Sequence, residues 1–294
     1  MSWILLVILA QFFYALVFIL DKYILSRSMP HQVVYSFYVG VLGIFVLVLI
    51  PFGFVMPNGA EVFWSLIAGV AQISAFLFFY KAVNREEISR VVPFVGAASS
   101  VFVLILSSCI IKEFLTFQQI IAFLLLVLGC LVVGFRKKHF MGNGVLGLSI
   151  VSAFFFALFW VITKYLFLGT NFVSGLIWVR VGVALIALTL LFLKKNRELI
   201  FSETKQVKSK TTKFFILGRT LNVAGSLFLY LAVFLGSVTL TTAFQGLQYV
   251  FVLILALLLL KKIPVLKEQF NKEVLIQKIV AIIFICIGLS LLVI

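Results

Sequence analysis

Apolar stretches of about membrane-spanning length follow one another along the whole chain, and this one feature leaves few folds open. They lie near residues 3–21, 32–52, 62–81, 89–111, 116–135, 144–166, 172–193, 214–234, 238–260 and 275–294. A helix needs roughly 17–25 mostly apolar residues to cross a bilayer core, so ten spans are predicted. Pro30-His31, Pro51 to Gly59, Arg136 to His139, Gly142 to Gly144, Lys194 to Lys213 and Lys261 to Lys272 punctuate them. Only the connectors 194–213 and 261–274 are long enough to be mobile, and neither has the apolar content of a domain. The first stretch lacks a basic lead and ends in Asp21-Lys22 instead of a small-residue cleavage site, so it is expected to remain a span. Composition closes the soluble alternative. At 64% hydrophobic and 11% charged residues, with mean hydropathy +1.27, the chain has more apolar surface than a soluble core of its length can bury.

The pattern is stated twice. Phe12-Phe13-Tyr14-Ala15-Leu16, leading to Lys22-Tyr23, returns 142 residues later as Phe154-Phe155-Phe156-Ala157-Leu158, leading to Lys164-Tyr165. At that offset Val39-Gly40-Val41 falls on Val181-Gly182-Val183, and Leu77 to Val83 pairs with Leu227 to Val233 at 150. Residues 1–139 and 140–294 are therefore expected to form two units of five spans each. Duplicated membrane units of this kind are a recurring plan of secondary transporters, with the solute site between the halves.

Basic residues orient the units. Twenty of the 24 lysines and arginines fall on odd-numbered connectors, whereas even connectors carry only Lys112 and Lys164. Lysine and arginine are retained on the cytoplasmic side, which places both termini outside. Five spans per unit then makes the second unit enter from the opposite side, an inverted repeat. The same asymmetry accounts for the net charge of +15. Anionic lipid headgroups are the expected partners of these residues, and nucleic acid is not, because no stacking-aromatic pattern accompanies the charge.

The three cysteines, Cys109, Cys130 and Cys286, sit inside apolar runs without metal-ligand spacing, so neither a disulfide framework nor a metal or other cofactor is expected. His31 and His139 lie at connectors, and no Ser/His/Asp arrangement or carboxylate cluster points to an enzyme.

Polar side chains at membrane depth mark functional sites or helix contacts. Gln11, Gln72, Arg180, Asn222, Gln245 and Gln248 are such residues, accompanied by Tyr14, Tyr38, Tyr80, Trp160, Trp178, Tyr230 and Tyr249. Together they form the predicted solute-binding set. Arg180 lies about 12 Å into its helix at 1.5 Å per residue, where a guanidinium can hold a carboxylate or phosphate through paired hydrogen bonds, or can snorkel to the interface. Gln245 and Gln248, three apart, share a helix face, with Thr239, Thr241 and Thr242 before them; they serve either a wet face or interhelical hydrogen bonding.

The segment Ile111-Lys112-Glu113-Phe114-Leu115-Thr116-Phe117-Gln118-Gln119-Ile120-Ile121-Ala122, running on to Gly129, resembles the junction of the fourth and fifth helices in EamA-type members of the drug/metabolite transporter superfamily. That resemblance implies an all-α, ten-helix membrane protein with a central cavity lined by helices 1–4 and 6–9. Helices 5 and 10 would lie outside the cavity, available for a homodimer contact. Three features depart from the family pattern. Lys261-Lys262-Ile263-Pro264 stands where the second half would carry the glutamate, Ser99 and Tyr249 stand near the places of mid-helix prolines, and the termini read as outward. Small multidrug-resistance relatives use a first-helix glutamate for protons and cationic drugs, whereas this first helix carries Gln11. The function expected is export of a small amphipathic metabolite, such as an amino acid, by alternating access in a prokaryotic inner (plasma) membrane. The alternative is a carrier of choline-like or guanidinium-like cations through an aromatic cage.

Overall fold

The computed structural model describes residues 2–25, 31–86, 88–134, 142–204, 209–259 and 272–293. The apolar runs become helices because, in lipid, a backbone without water can satisfy its polar groups only within the helix or in a closed barrel. No strand occurs among the described residues. In order these are α1 (Ser2–Leu25), α2 (Gln32–Leu42), α3 (Gly59–Val83), α4 (Ile88–Ile110), α5 (Phe117–Gly134), α6 (Asn143–Gly169), α7 (Phe172–Thr189), α8 (Lys194–Thr204), α9 (Ser209–Leu235), α10 (Val238–Ala243), α11 (Gly246–Leu259) and α12 (Lys272–Val293).

Six of these stretches are long and apolar enough to cross a membrane unaided, among them Trp3–Leu20, Gly59–Val83 and Asn143–Gly169. Phe117–Val132, Thr220–Leu235 and Ile279–Leu292 are shorter apolar helices. The second predicted span is half α-helix and half 3-10 helix, because Gly43–Phe52 continues α2 in the tighter winding until Pro51 and a left-handed Gly53 (φ +100°) end it. The ninth predicted span, 238–260, breaks at Phe244-Gln245 into α10 and α11. The connector 194–213, read from the sequence as long enough to be mobile, contains α8 and the start of α9. Ile200 of α8 is buried against Val33, Val34 and Phe37 of α2, and this apolar anchor is what orders the segment. Lys261-Lys262-Ile263-Pro264 lies outside the described residues.

Capping fixes where the chain enters several helices. At α3, Asn58 Oδ1 accepts from Glu61 N at 2.8 Å while the Glu61 carboxylate accepts from Asn58 N at 3.0 Å, a complete capping box. Asn58→Ala removes one half of it and is expected to cost about 1 kcal/mol, read as a melting midpoint about 2 °C lower in detergent.

Helix α1 runs along α9 and α3 along α6, while α4 packs on α6 as α11 packs on α1, so these pairings exchange when the halves are swapped, whereas the extensive α3–α7 contact has no comparable α2–α9 counterpart among the described residues. Helices α5 and α12 lie against each other. Gly129 is seated on Ala281 and Ile285, and Gly288 on Ala122 and Leu126. Helices α3 and α7 cross at backbone contact, with Gly69 and Gly182 facing each other and Ser65. In lipid such crossings depend on small residues, because no hydrophobic drive pulls apolar helices together. The main core gathers Phe159, Ile162, Phe167, Leu176, Val179 and Tyr230 between α6, α7 and α9.

Candidate solute site at Arg180 and Tyr230

Tyr230 is the side chain around which the site is built. It is 1% exposed, packed by Phe159 and Phe167 and tilted against Trp160 with ring centroids 5.3 Å apart. The Arg180 guanidinium lies over its ring at 4.9 Å from the centroid. A cation on an aromatic face gains about 0.5–2 kcal/mol, more when desolvated. The Gln72 amide and Tyr14 both lie within electrostatic range of Tyr230, and Tyr14 also of Arg180. Five helices thus contribute one group each: Tyr14 from α1, Gln72 from α3, Trp160 from α6, Arg180 from α7 and Tyr230 from α9. Gln11 stands one turn before Tyr14 on the same face of α1.

Glycines make room for this assembly. Tyr14 Cε1 would come 3.3 Å from a Cβ on Gly225 of α9, and Arg180 Cδ 3.3 Å from one on Gly43, where α2 turns into the 3-10 segment.

Two properties of the cluster set its chemistry. Among the described residues Arg180 has no carboxylate partner and no side-chain hydrogen bond. In addition, Gln11 Oε1 and Gln72 Oε1 are buried with no hydrogen-bond partner in the protein. Buried polar atoms are nearly always satisfied, and an unsatisfied one points to water, an ion or a ligand. Arg180 is thus a donor without an acceptor, and Gln72 on α3 and Gln11 on α1 carry buried acceptors without donors.

Not every predicted residue joins it. Tyr80 stacks with Tyr35 (4.2 Å) and Phe76, eight residues beyond Gln72 on α3, and Tyr38 packs edge-on to Phe37 of α2. Trp178 points toward Phe54 (6.1 Å), its Nε1 buried and unpartnered. Asn222 is half-buried two turns before Tyr230. The α10–α11 break forms a third place. Gln245 Oε1 would lie 3.0 Å from a Cβ on Gly96, Gln248 Nε2 donates to Tyr14 O at 3.4 Å, and the buried Tyr249 hydroxyl has no partner. The threonines before the break do not line a wet face. Thr241 and Thr242 donate back to carbonyls of their own turn, and Thr239 shares a hydrogen bond with Ser107 at 2.8 Å.

Sequence reasoning missed Lys164. Counted there as a connector charge, its side chain is 9% exposed, and Nζ donates to Val233 O (2.9 Å), Phe234 O (3.2 Å) and Gly236 O (2.8 Å). Its only signal was the 142-residue match to Lys22, whose side chain lies outside the described residues. The cysteines are free thiols, and Cys130 donates to Pro93 O at 3.3 Å.

Apolar helices enclosing a charged, partly unsatisfied polar centre are the arrangement expected of a polytopic membrane protein with a functional site at membrane depth. Residues 1–135 match the model of the EamA-like transporter family, a family of the drug/metabolite transporter superfamily. A solved crystal structure superposes with TM-score 0.69 at 13% identity, over 99% of this chain and 97% of that one, so the fold is shared across both halves. No curated protein matches the sequence.

Proposed function

We propose that this transporter exports a small zwitterionic metabolite of the amino-acid type by alternating access, with the solute held between Arg180 and the glutamine oxygens. In this reading the ten spans form two inverted five-helix repeats, 1–139 and 140–294, with both termini outside a prokaryotic inner membrane. The exchange of helix neighbours between the halves supports that topology. The paired α5 and α12, whose outer faces expose Leu124, Leu128, Ile279 and Ile283, would provide the homodimer contact.

The observations that carry the solute class are an Arg180 without an anion over Tyr230 and two buried glutamine oxygens without donors, Gln72 on α3 and Gln11 on α1. A carboxylate fits the guanidinium fork, and an ammonium supplies three donors to amide oxygens. The aromatic-cage alternative is weaker, because the face of Tyr230 that would receive a cationic solute is already covered by Arg180.

The test is thermal unfolding of the detergent-purified protein against amino acids, simple carboxylates, quaternary amines, guanidinium compounds and nucleotide sugars. A ligand at about 100 times its Kd that binds only the folded state adds roughly 2.7 kcal/mol. Stabilisation by amino acids exceeding that by either simple carboxylates or amines is the expected result. A shift confined to quaternary amines or guanidinium compounds would overturn the proposal.

A further inference from the structure

The turn between α9 and α10 is held at both of its helix ends by opposite charges from elsewhere in the chain. Every α-helix leaves its last carbonyls and first N–H groups without partners. Here Lys164 of α6 donates to three carbonyls at the end of α9. On the other side of the turn the Glu113 carboxylate accepts from Ser237 Oγ at 2.6 Å, Thr239 N at 3.2 Å and Val238 N at 3.4 Å, at the start of α10. Cation on carbonyls and anion on N–H groups is the arrangement that helix dipoles favour.

The chain invests backbone strain in placing Glu113. Helix α4 closes with Lys112 in the left-handed region (φ +56°), where glycine is usual, and Glu113 N turns back to Ser107 O at 3.2 Å. Ser107 Oγ then ties α4 to Thr239 of α10. Trp3 of α1 closes over the same turn, its ring 2.6 Å from where a Cβ on Gly236 would stand.

This knot lies directly beyond the Arg180 cluster. Lys164 is one turn after Trp160 on α6, and Val233 is three residues after Tyr230 on α9, so the knot is the next layer above the Trp160–Tyr230 pair. Phe167, Phe172 and Phe234 form a further aromatic layer, with centroids 5.5–5.8 Å apart. Helices α6 and α9 cannot part at this end while the ammonium holds the carbonyls. The second half carries Lys261-Lys262-Ile263-Pro264 where the first carries Glu113, so an acidic partner at the matching place is present in one half only.

We infer that Lys164 and Glu113 are positioning residues of an outer gate, which pin the α9–α10 turn across the outward end of the solute path. The inference rests on the orientation and alternating-access reading proposed above. It assigns the two charges a role in the equilibrium between inward- and outward-open states and none in contacting solute.

A Trp160→Cys reporter thiol, placed in the full chain with Cys109→Ala and Cys286→Ala, tests it in cells exposed to a membrane-impermeant maleimide. Labelling is slow while the gate holds. With the charge removed, Lys164→Met or Glu113→Gln is expected to speed labelling roughly 10- to 100-fold, the equivalent of about 1.4–2.7 kcal/mol in the opening equilibrium. Lys164→Arg, which can still donate to the carbonyls, is expected to stay slow. Ser237→Ala removes the hydroxyl bond to Glu113 together with the cap bond from Leu240 N, leaves both charges in place and gives an intermediate rate, and it carries the test if the charge variants fail to accumulate. Equal labelling rates in Ser237→Ala and in every folded charge variant would overturn the gate. The solute panel is read separately. Melting shifts with unchanged labelling would sink the gate and leave the solute site standing; a silent panel with accelerated labelling would do the reverse.

Discussion

Arg180→Ala is expected to abolish transport in reconstituted vesicles while leaving a folded protein. The guanidinium is half-buried and makes no side-chain hydrogen bond or ion pair among the described residues, so its loss strips the fold mainly of the contact with Tyr230. That contact accounts for about 0.5–2 kcal/mol, small against the roughly 5–15 kcal/mol by which folded proteins are stable. A bound carboxylate loses far more. Truncating one partner of a buried, hydrogen-bonded charge pair costs about 2–5 kcal/mol, on the order of 30- to several-thousand-fold in affinity. Arg180→Lys keeps the charge but not the planar fork and recovers only part of the loss. The measurement pairs uptake with melting temperature for each variant. Wild-type transport by a folded Arg180→Ala protein would remove Arg180 from the solute site and leave it as a packing residue over Tyr230.

The largest effect on the fold is expected from Gly182→Leu. A Cβ at this position would run into the Ser65 carbonyl and come within 3.2 Å of Leu66 N, and Gly69 faces the Gly182 carbonyl from the other side. These neighbours are backbone, which cannot rotate away as a side chain can. Ordinary overpacking costs about 1–3 kcal/mol; here α3 and α7 would have to separate along their crossing, and the polar cluster that joins them would separate too. The expected outcome is loss of the monodisperse species in detergent, with Gly182→Ala milder in the same direction. A Gly182→Leu protein that purified and melted like the parent would show that the two helices are not in backbone contact.

The Lys164 and Glu113 knot adds a separate point about polar residues in lipid. Both charges lie where a lone charge would be expensive, and each is satisfied by backbone groups of one turn. Both side chains hold the connection between α9 and α10.

What could be read in the chain alone was set by solvent and by repetition. Long apolar runs admit helices and exclude open sheets, because the bilayer offers backbone groups no partner. The 142-residue offset matched Gly40 to Gly182, and the structure uses both at close helix contacts. The same logic selected Gln11, Gln72 and Arg180, since a polar residue inside a span needs a reason. Depth was legible; direction was not. Periodicity could not say that Trp178 faces Phe54 and Trp160 faces Tyr230, or that Tyr80 belongs with Tyr35 eight residues away from Gln72. Nor could it foresee the break at Phe244-Gln245 or the order of the 194–204 segment, which depends on Ile200 finding a pocket on a helix more than 150 residues earlier. Sequence determined that this chain is built of apolar helices able to cross a membrane, because that follows from hydropathy and spacing. Only the tertiary structure decided which polar groups meet, because in a bundle where nearly every face is apolar the rotation and tilt of each helix are set by its neighbours.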